Sequence, residues 1–237
     1  MTNRLCVFDC DGTLVDSQHA IITSMAAAFA VHGLAHPGDA AVRQVVGLAL
    51  LEAVAALLPQ ADADIWARVA RSYSEAFGDL RRSGGVQEPL FPGLENALAA
   101  LEADDWLLGI ATGKSSRGLK NTLAVHGLEG RFVTLQTADV AAGKPHPEML
   151  LRAMADAGAV PERTVMVGDT SFDMLMARQA GAHGIGVIWG YHERAVIQAA
   201  GAHTLIETFD ELPGAVSALL DVGEAMQRAA APDRPSC

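Results

Sequence analysis

Short apolar runs that end on polar residues recur along this chain, with helical patterns between them. Residues 5–8 form the first and stop at Asp9; residues 107–111, 132–135, 164–167 and 184–188 follow. Runs this short and this uniformly apolar are strands buried on both faces, the kind found in parallel sheets. Helical patterns over 93–103, 115–125, 147–157 and 171–180 separate the later ones. Pro147 suits a first helical turn, where its missing N–H would have no partner anyway, and Gly127, Gly158 and Gly181 stand just past three helix ends. Strands alternating with helices predict an α/β fold with a doubly wound, mostly parallel, Rossmann-like sheet.

Residues 15–87 break the alternation. They read as helix throughout, over 18–31, 40–58 and 62–80, with no buried strand among them. An all-helical insertion between the first and second strands predicts a separate cap over 15–87. It stands on a catalytic core made of 1–14 and 88–237. Ser83-Gly84-Gly85 and Glu88-Pro89 supply the return hinge, and the tail after Gly223 is expected to fray.

Half of the 237 residues are hydrophobic, enough for a sizeable core. The formal net charge of −11 argues against nucleic acid or an anionic membrane as partner. It leaves room for a small phosphorylated molecule, because a few local cations and a metal dominate at short range. No apolar run reaches the roughly 18 residues of a membrane span, and no signal peptide is evident at the N-terminus. Cys6 and Cys10 lie in or beside the first strand as inert buried thiols, which suits a reducing cytoplasm. The chain is expected to act as a monomer or homodimer.

Open α/β sheets bind ligands at the carboxyl ends of their strands. The polar residues there are Asp9 and Asp11, then Thr112-Gly113-Lys114, then Gly168-Asp169-Thr170, with Lys144 just before a helix. Asp9 and Asp11 are two apart and face the same way on an extended chain, while Gly12 permits a sharp turn beside them. Asp169, with Asp173 one helical turn on, adds negative charge at the same edge. Crowded carboxylates cannot all stay ionised without a cation, and their hard oxygens suit Mg²⁺. Lys114 and Lys144 are scarce cations that could offset a phosphoryl group, and Thr112 with the Gly113 amide makes an anion seat before a helix. Residues 109–115 fall one residue short of a P-loop, since Leu108 stands where glycine is required, and Gly184-Ile185-Gly186 lacks the third glycine of a dinucleotide fingerprint. The eight histidines read as structural or surface residues; His32 and His36 have a ligand spacing but sit among loop formers.

Asp9-Cys10-Asp11-Gly12-Thr13-Leu14-Val15-Asp16-Ser17 resembles the first motif of the haloacid dehalogenase-like hydrolases. Thr112 resembles their second motif, Lys144 their third, and Gly168-Asp169-Thr170-x-x-Asp173 their fourth. The insertion resembles their C1-type cap, and the surroundings of Lys144 and Asp169 look most like phosphoglycolate phosphatase-like members. The resemblance implies that Asp9 is a nucleophile forming an aspartyl-phosphate and that Asp11 is the general acid and base. It also implies Mg²⁺ on the Asp9 carboxylate, the Asp11 carbonyl and Asp169, supported by Asp173. Thr112, Gly113 and Lys144 would bind the phosphoryl oxygens. One departure stands out: Gly113 occupies a position where many relatives have Asn.

The resulting expectation is a Mg²⁺-dependent phosphomonoester hydrolase acting on a small phosphorylated metabolite, with 2-phosphoglycolate as a candidate. The alternative is a phosphosugar mutase of the β-phosphoglucomutase type, against which Thr13 counts modestly. A binding protein on the same fold is a third class, disfavoured because every motif residue is present. In the cap, Arg43, Arg81 and Arg82 are candidates to meet a substrate carboxylate or second phosphate.

Overall fold

The computed structural model describes residues 2–220; the tail expected to fray lies outside them. The apolar run after Thr2 becomes β1 (Asn3–Phe8), at the centre of a six-stranded sheet. The others are β2 (Trp106–Thr112), β3 (Thr134–Thr137), β4 (Ala159–Gly168), β5 (His183–Val187) and β6 (Thr204–Ile206), in the order β3-β2-β1-β4-β5-β6. Every pairing is parallel. The order reverses direction beside β1, so the crevice expected of a doubly wound sheet opens above the carboxyl ends of β1, β2 and β4.

Side-chain alternation along β1 divides the core. Cys6 and Phe8 join one apolar layer with Leu108, Ile110, Val165 and Val167. Leu5 and Val7 join the other, with Met149, Leu150 and Met166. Helix α5 (Leu94–Ala103) packs on the first layer through Leu94, Leu98 and Leu101. Helix α7 (Glu148–Ala157) packs on the second and ends at Gly158 in the left-handed conformation. Helices α6 (Ser116–Val125), α8 (Ser171–Gln179) and α9 (Arg194–Ala199) complete the two faces.

The insertion contains α1 (Gln18–Val31), α2 (Asp39–Val45), α3 (Leu50–Leu57) and α4 (Ala63–Arg82). Its apolar residues form a cluster of their own, including Phe29, Val42, Val54 and Val69. The chain leaves and re-enters the core side by side: Val15 bridges Leu90 antiparallel, and the Asp16 N–H donates to the Pro89 carbonyl at 2.9 Å.

Three expectations need correction. The helix expected over 40–58 is two helices, because Val46 and Ala49 are extended and the segment 46–49 is unwound. Helical carbonyls would be tied to the next turn; unwound, those of Gly47 and Leu48 reach the core at Gly113. The strand expected over 132–135 lies two residues later, since Phe132 packs beneath the sheet instead of pairing within it. Finally, β6 escaped notice because three residues are too few to show a period.

Candidate active site

The carboxyl end of β1 places Asp9 at the bottom of the crevice, 1% exposed. Its main chain continues the sheet, donating to the Val167 carbonyl at 2.9 Å, while Asp9 Oδ1 accepts from the Cys10 N–H at 2.6 Å. The loop after β4 brings Asp169 alongside, and α8 brings Asp173. All three carboxylates are buried, with one oxygen from each within 4.8 Å of the others. Gly12, at φ +85°, makes this approach possible: a Cβ there would lie 2.3 Å from Asp169 Oδ2.

Each acid is held differently. Asp169 accepts from the Thr13 hydroxyl at 3.0 Å and from the Tyr191 N–H at 2.8 Å. Asp173 spends Oδ2 capping its own helix, accepting from the Thr170 N–H and hydroxyl at 3.0 and 2.7 Å. Lys144, wholly buried, sets its Nζ 2.8 Å from Asp9 Oδ1 and 2.6 Å from Asp173 Oδ1. These are contacts of charge and not of well-angled hydrogen bonds, and Asp9 Oδ2 is buried with no hydrogen-bond partner among the described residues.

The electrostatics follow from this count. Three carboxylates against one ammonium leave two negative charges over, all on buried side chains. Burial, with Asp173 and Asp11 nearby, pushes the Asp9 carboxyl up to about 7 despite the opposing pull of Lys144. Burial and the charges of Asp9 and Asp173 hold Asp169 well above the usual carboxylate range. Burial would depress Lys144, but its two carboxylate neighbours keep its ammonium above the ordinary lysine range. An unpartnered oxygen, clustered hard donors and a deficit of two positive charges fit a divalent cation such as Mg²⁺.

Asp11 belongs to a second, balanced cluster. Lys114 Nζ lies 2.8 Å from Asp11 Oδ1 and 3.1 Å from Glu88 Oε1, and Arg81 Nη2 lies 2.9 Å from Glu88 Oε2. The Ser17 hydroxyl also donates to Asp11 Oδ1. Burial works against the Lys114 ammonium, yet Asp11 and Glu88 hold it above the lysine range. Thr112, 1% exposed at the end of β2, accepts the Lys114 N–H at 3.2 Å.

Asp9, Asp11, Thr112, Gly113 and Lys114 therefore border one cavity of about 650 Å³, while Asp169, Asp173 and Lys144 stand behind Asp9. Of the cap arginines, Arg81 and Arg82 line the cavity. Arg43 does not; it donates to Gln18 Oε1 at 2.9 Å. Gly113 has a steric explanation, since a Cβ there would lie 2.4 Å from the Leu48 carbonyl oxygen and 2.8 Å from that of Gly47. The space an Asn side chain would take is filled by the unwound segment of the insertion.

Sequence reasoning passed over Glu88, Tyr191 and His192. Glu88, in the return hinge beside Pro89, pairs with Arg81 and Lys114 where the chain re-enters the core. His192 accepts from the Ser171 N–H at 3.1 Å through Nδ1 and faces the Gln44 carbonyl at 3.2 Å through Nε2. It thus joins the core to α2, and nothing local in the sequence announces that.

Residues 6–187 match the family described as haloacid dehalogenase-like hydrolase. The chain is 38% identical over 226 residues to the "Probable phosphatase IndB" of Dickeya dadantii strain 3937, covering 93% of this chain and 96% of that one. It is 33% identical over 189 residues to a phosphoglycolate phosphatase of Xylella fastidiosa strain 9a5c, covering 79% and 81%. A crystal structure of a hydrolase from Pseudomonas syringae shares the fold, with a TM-score of 0.80 at 23% identity over 92% of this chain and 99% of that one. The chain belongs to the haloacid dehalogenase-like hydrolase family. Within that family it stands with the phosphatases.

Proposed function

We propose that the chain hydrolyses phosphomonoesters with Mg²⁺, through an aspartyl-phosphate on Asp9. The observation that carries this reading is the buried Asp9 carboxylate. It has one oxygen beside Lys144, the other without a partner among the described residues, and it borders a cavity shared with Asp11 and Thr112. Asp9 attacks phosphorus in line as the bond to the leaving alkoxide breaks, and Asp11 gives that alkoxide a proton. Asp11 then takes a proton from the water that cleaves the aspartyl-phosphate and releases inorganic phosphate. The Thr112 hydroxyl and the Gly113 amide hold phosphoryl oxygens, and Lys144 offsets their charge. Asp9, Asp169 and the Asp11 main-chain carbonyl would hold the ion, with Asp173 in support. When bound, Mg²⁺ would neutralise phosphoryl charge and orient the group.

The helical unit 15–87 acts in this reading as a cap that keeps water from the first step. Its unwound segment against Gly113 and the ion pairs among Glu88, Arg81 and Lys114 support that role. No helix of the described residues is long and apolar enough to cross a membrane. Two buried free cysteines in the described residues fit a reducing cytoplasm. Relatives named phosphoglycolate phosphatase make 2-phosphoglycolate the first compound to try.

The test is phosphate release from a panel of phosphomonoesters with Mg²⁺, comparing wild type with Asp9→Asn. The variant should lose essentially all turnover; near-normal turnover would remove Asp9 from its role. Isomerisation of a sugar phosphate without phosphate release would point to the mutase alternative.

A further inference from the structure

The cavity above Asp9 is much larger than a two-carbon acid requires. Its 650 Å³ falls within the roughly 300–1,000 Å³ that encloses a drug-sized ligand. Much of the lining that the insertion contributes is apolar: Val45, Val46, Leu48 and Leu50 from the unwound segment and its flanks, Tyr73 and Phe77 from α4, with Ser74, Arg81 and Arg82 beside them. The two aromatic rings lie 6.0 Å apart at 40°, a paired surface.

The two less exposed cations that could meet a substrate carboxylate are already committed: Arg81 is paired with Glu88, and Lys114 with both Asp11 and Glu88. Arg82 makes only a solvent-exposed contact with Asp79. Arg81 and Lys114 also lie over the Phe77 ring, at 5.4 and 5.6 Å from its centroid. Among the described residues Arg117 is the lining cation without an ion pair, and it is exposed to solvent, where such contacts are weak. A second anionic group on the substrate thus meets, among the described residues, only the solvent-exposed Arg82 and Arg117 beyond the paired cations.

Resting on the hydrolase reading above, we propose that the preferred substrate is a phosphomonoester of an alcohol with an extended apolar or aromatic face, and not 2-phosphoglycolate. The phosphoryl group sits at Asp9 and Thr112, and the body of the alcohol lies against Val46, Leu48, Tyr73 and Phe77.

The experiment measures kcat/KM with Mg²⁺ for methyl, butyl, hexyl and benzyl phosphate and for 2-phosphoglycolate. In all five the ester oxygen is bonded to an sp3 carbon and none is a phenyl ester, so leaving-group differences stay small. Burial of apolar surface gives at most about fourfold per methylene, so hexyl and benzyl phosphate should exceed methyl phosphate by tenfold or more, and should exceed 2-phosphoglycolate. Phe77→Ala should lower kcat/KM for benzyl phosphate about tenfold and narrow its advantage over methyl phosphate. A 2-phosphoglycolate value equal to or above that of benzyl and hexyl phosphate would overturn the inference and leave the hydrolase reading standing. So would an equal loss on benzyl and methyl phosphate in the Phe77 variant. Release of phosphate from none of the five would instead remove the hydrolase reading, and this inference with it.

Discussion

Substituting Gly113→Ala tests the closest approach between the helical insertion and the core. The added Cβ would lie 2.4 Å from the Leu48 oxygen, 2.8 Å from the Gly47 oxygen and 3.0 Å from the Leu48 carbonyl carbon, where ordinary contact begins at 3.4 Å. All three atoms are backbone, so no rotamer change can relieve the overlap. The segment 46–49 must retreat by about 1 Å, and overpacking of this kind costs about 1–3 kcal/mol. If the insertion closes over the site as proposed, the core can avoid that cost by letting it stand open, and the penalty then falls on turnover. Tenfold per 1.36 kcal/mol converts it to a loss in kcat/KM of about 5–150-fold. The assay is steady-state phosphate release on hexyl phosphate, with a thermal melt followed by circular dichroism on the same samples. Activity should fall within that range while Tm moves by only a few degrees. Gly113→Asn, with a larger side chain, should fall further. An Ala variant within twofold of wild type would refute the argument that this contact belongs to the working form.

Other perturbations address the acid cluster and the core. In the absence of Mg²⁺ the folded Asp9 carboxyl titrates near 7, above its ordinary 3.8, so across that window the folded chain holds a proton that the unfolded chain has lost. Metal-free stability should therefore fall as pH rises from about 4 to about 7, and the gain in Tm on adding Mg²⁺ should be larger at about pH 8 than at about pH 5. Lys144→Met removes the cation between Asp9 and Asp173; urea unfolding in chelator should show a loss of about 3–5 kcal/mol, and turnover with Mg²⁺ should drop about 10²–10³-fold. Leu98→Ala empties a fully buried position under the sheet and should cost about 2–5 kcal/mol by urea unfolding, with kcat per folded molecule unchanged at low temperature.

Much of this molecule was legible in one dimension because its signals are local. A parallel strand is a run of apolar residues, and the residue that follows it is at the ligand edge by topology alone. Asp9, Thr112 and Asp169 could be picked out for that reason, and the order of strands and helices implied the doubly wound sheet. What could not be read is where distant segments meet. The charge deficit around Asp9 depends on Lys144 and Asp173 arriving on separate elements, and the neutral cluster at Asp11 depends on Arg81 crossing from the insertion to meet Glu88. Residues 46–49 unwind around Gly47, at φ +100°, and only the tertiary structure shows what that segment meets: Gly113, well over fifty residues away in sequence. The chain's own pattern thus determined the chemistry at the end of β1. The shape and apolar lining of the space above it, on which the choice of substrate rests, arose from packing between two units, and no local periodicity records that.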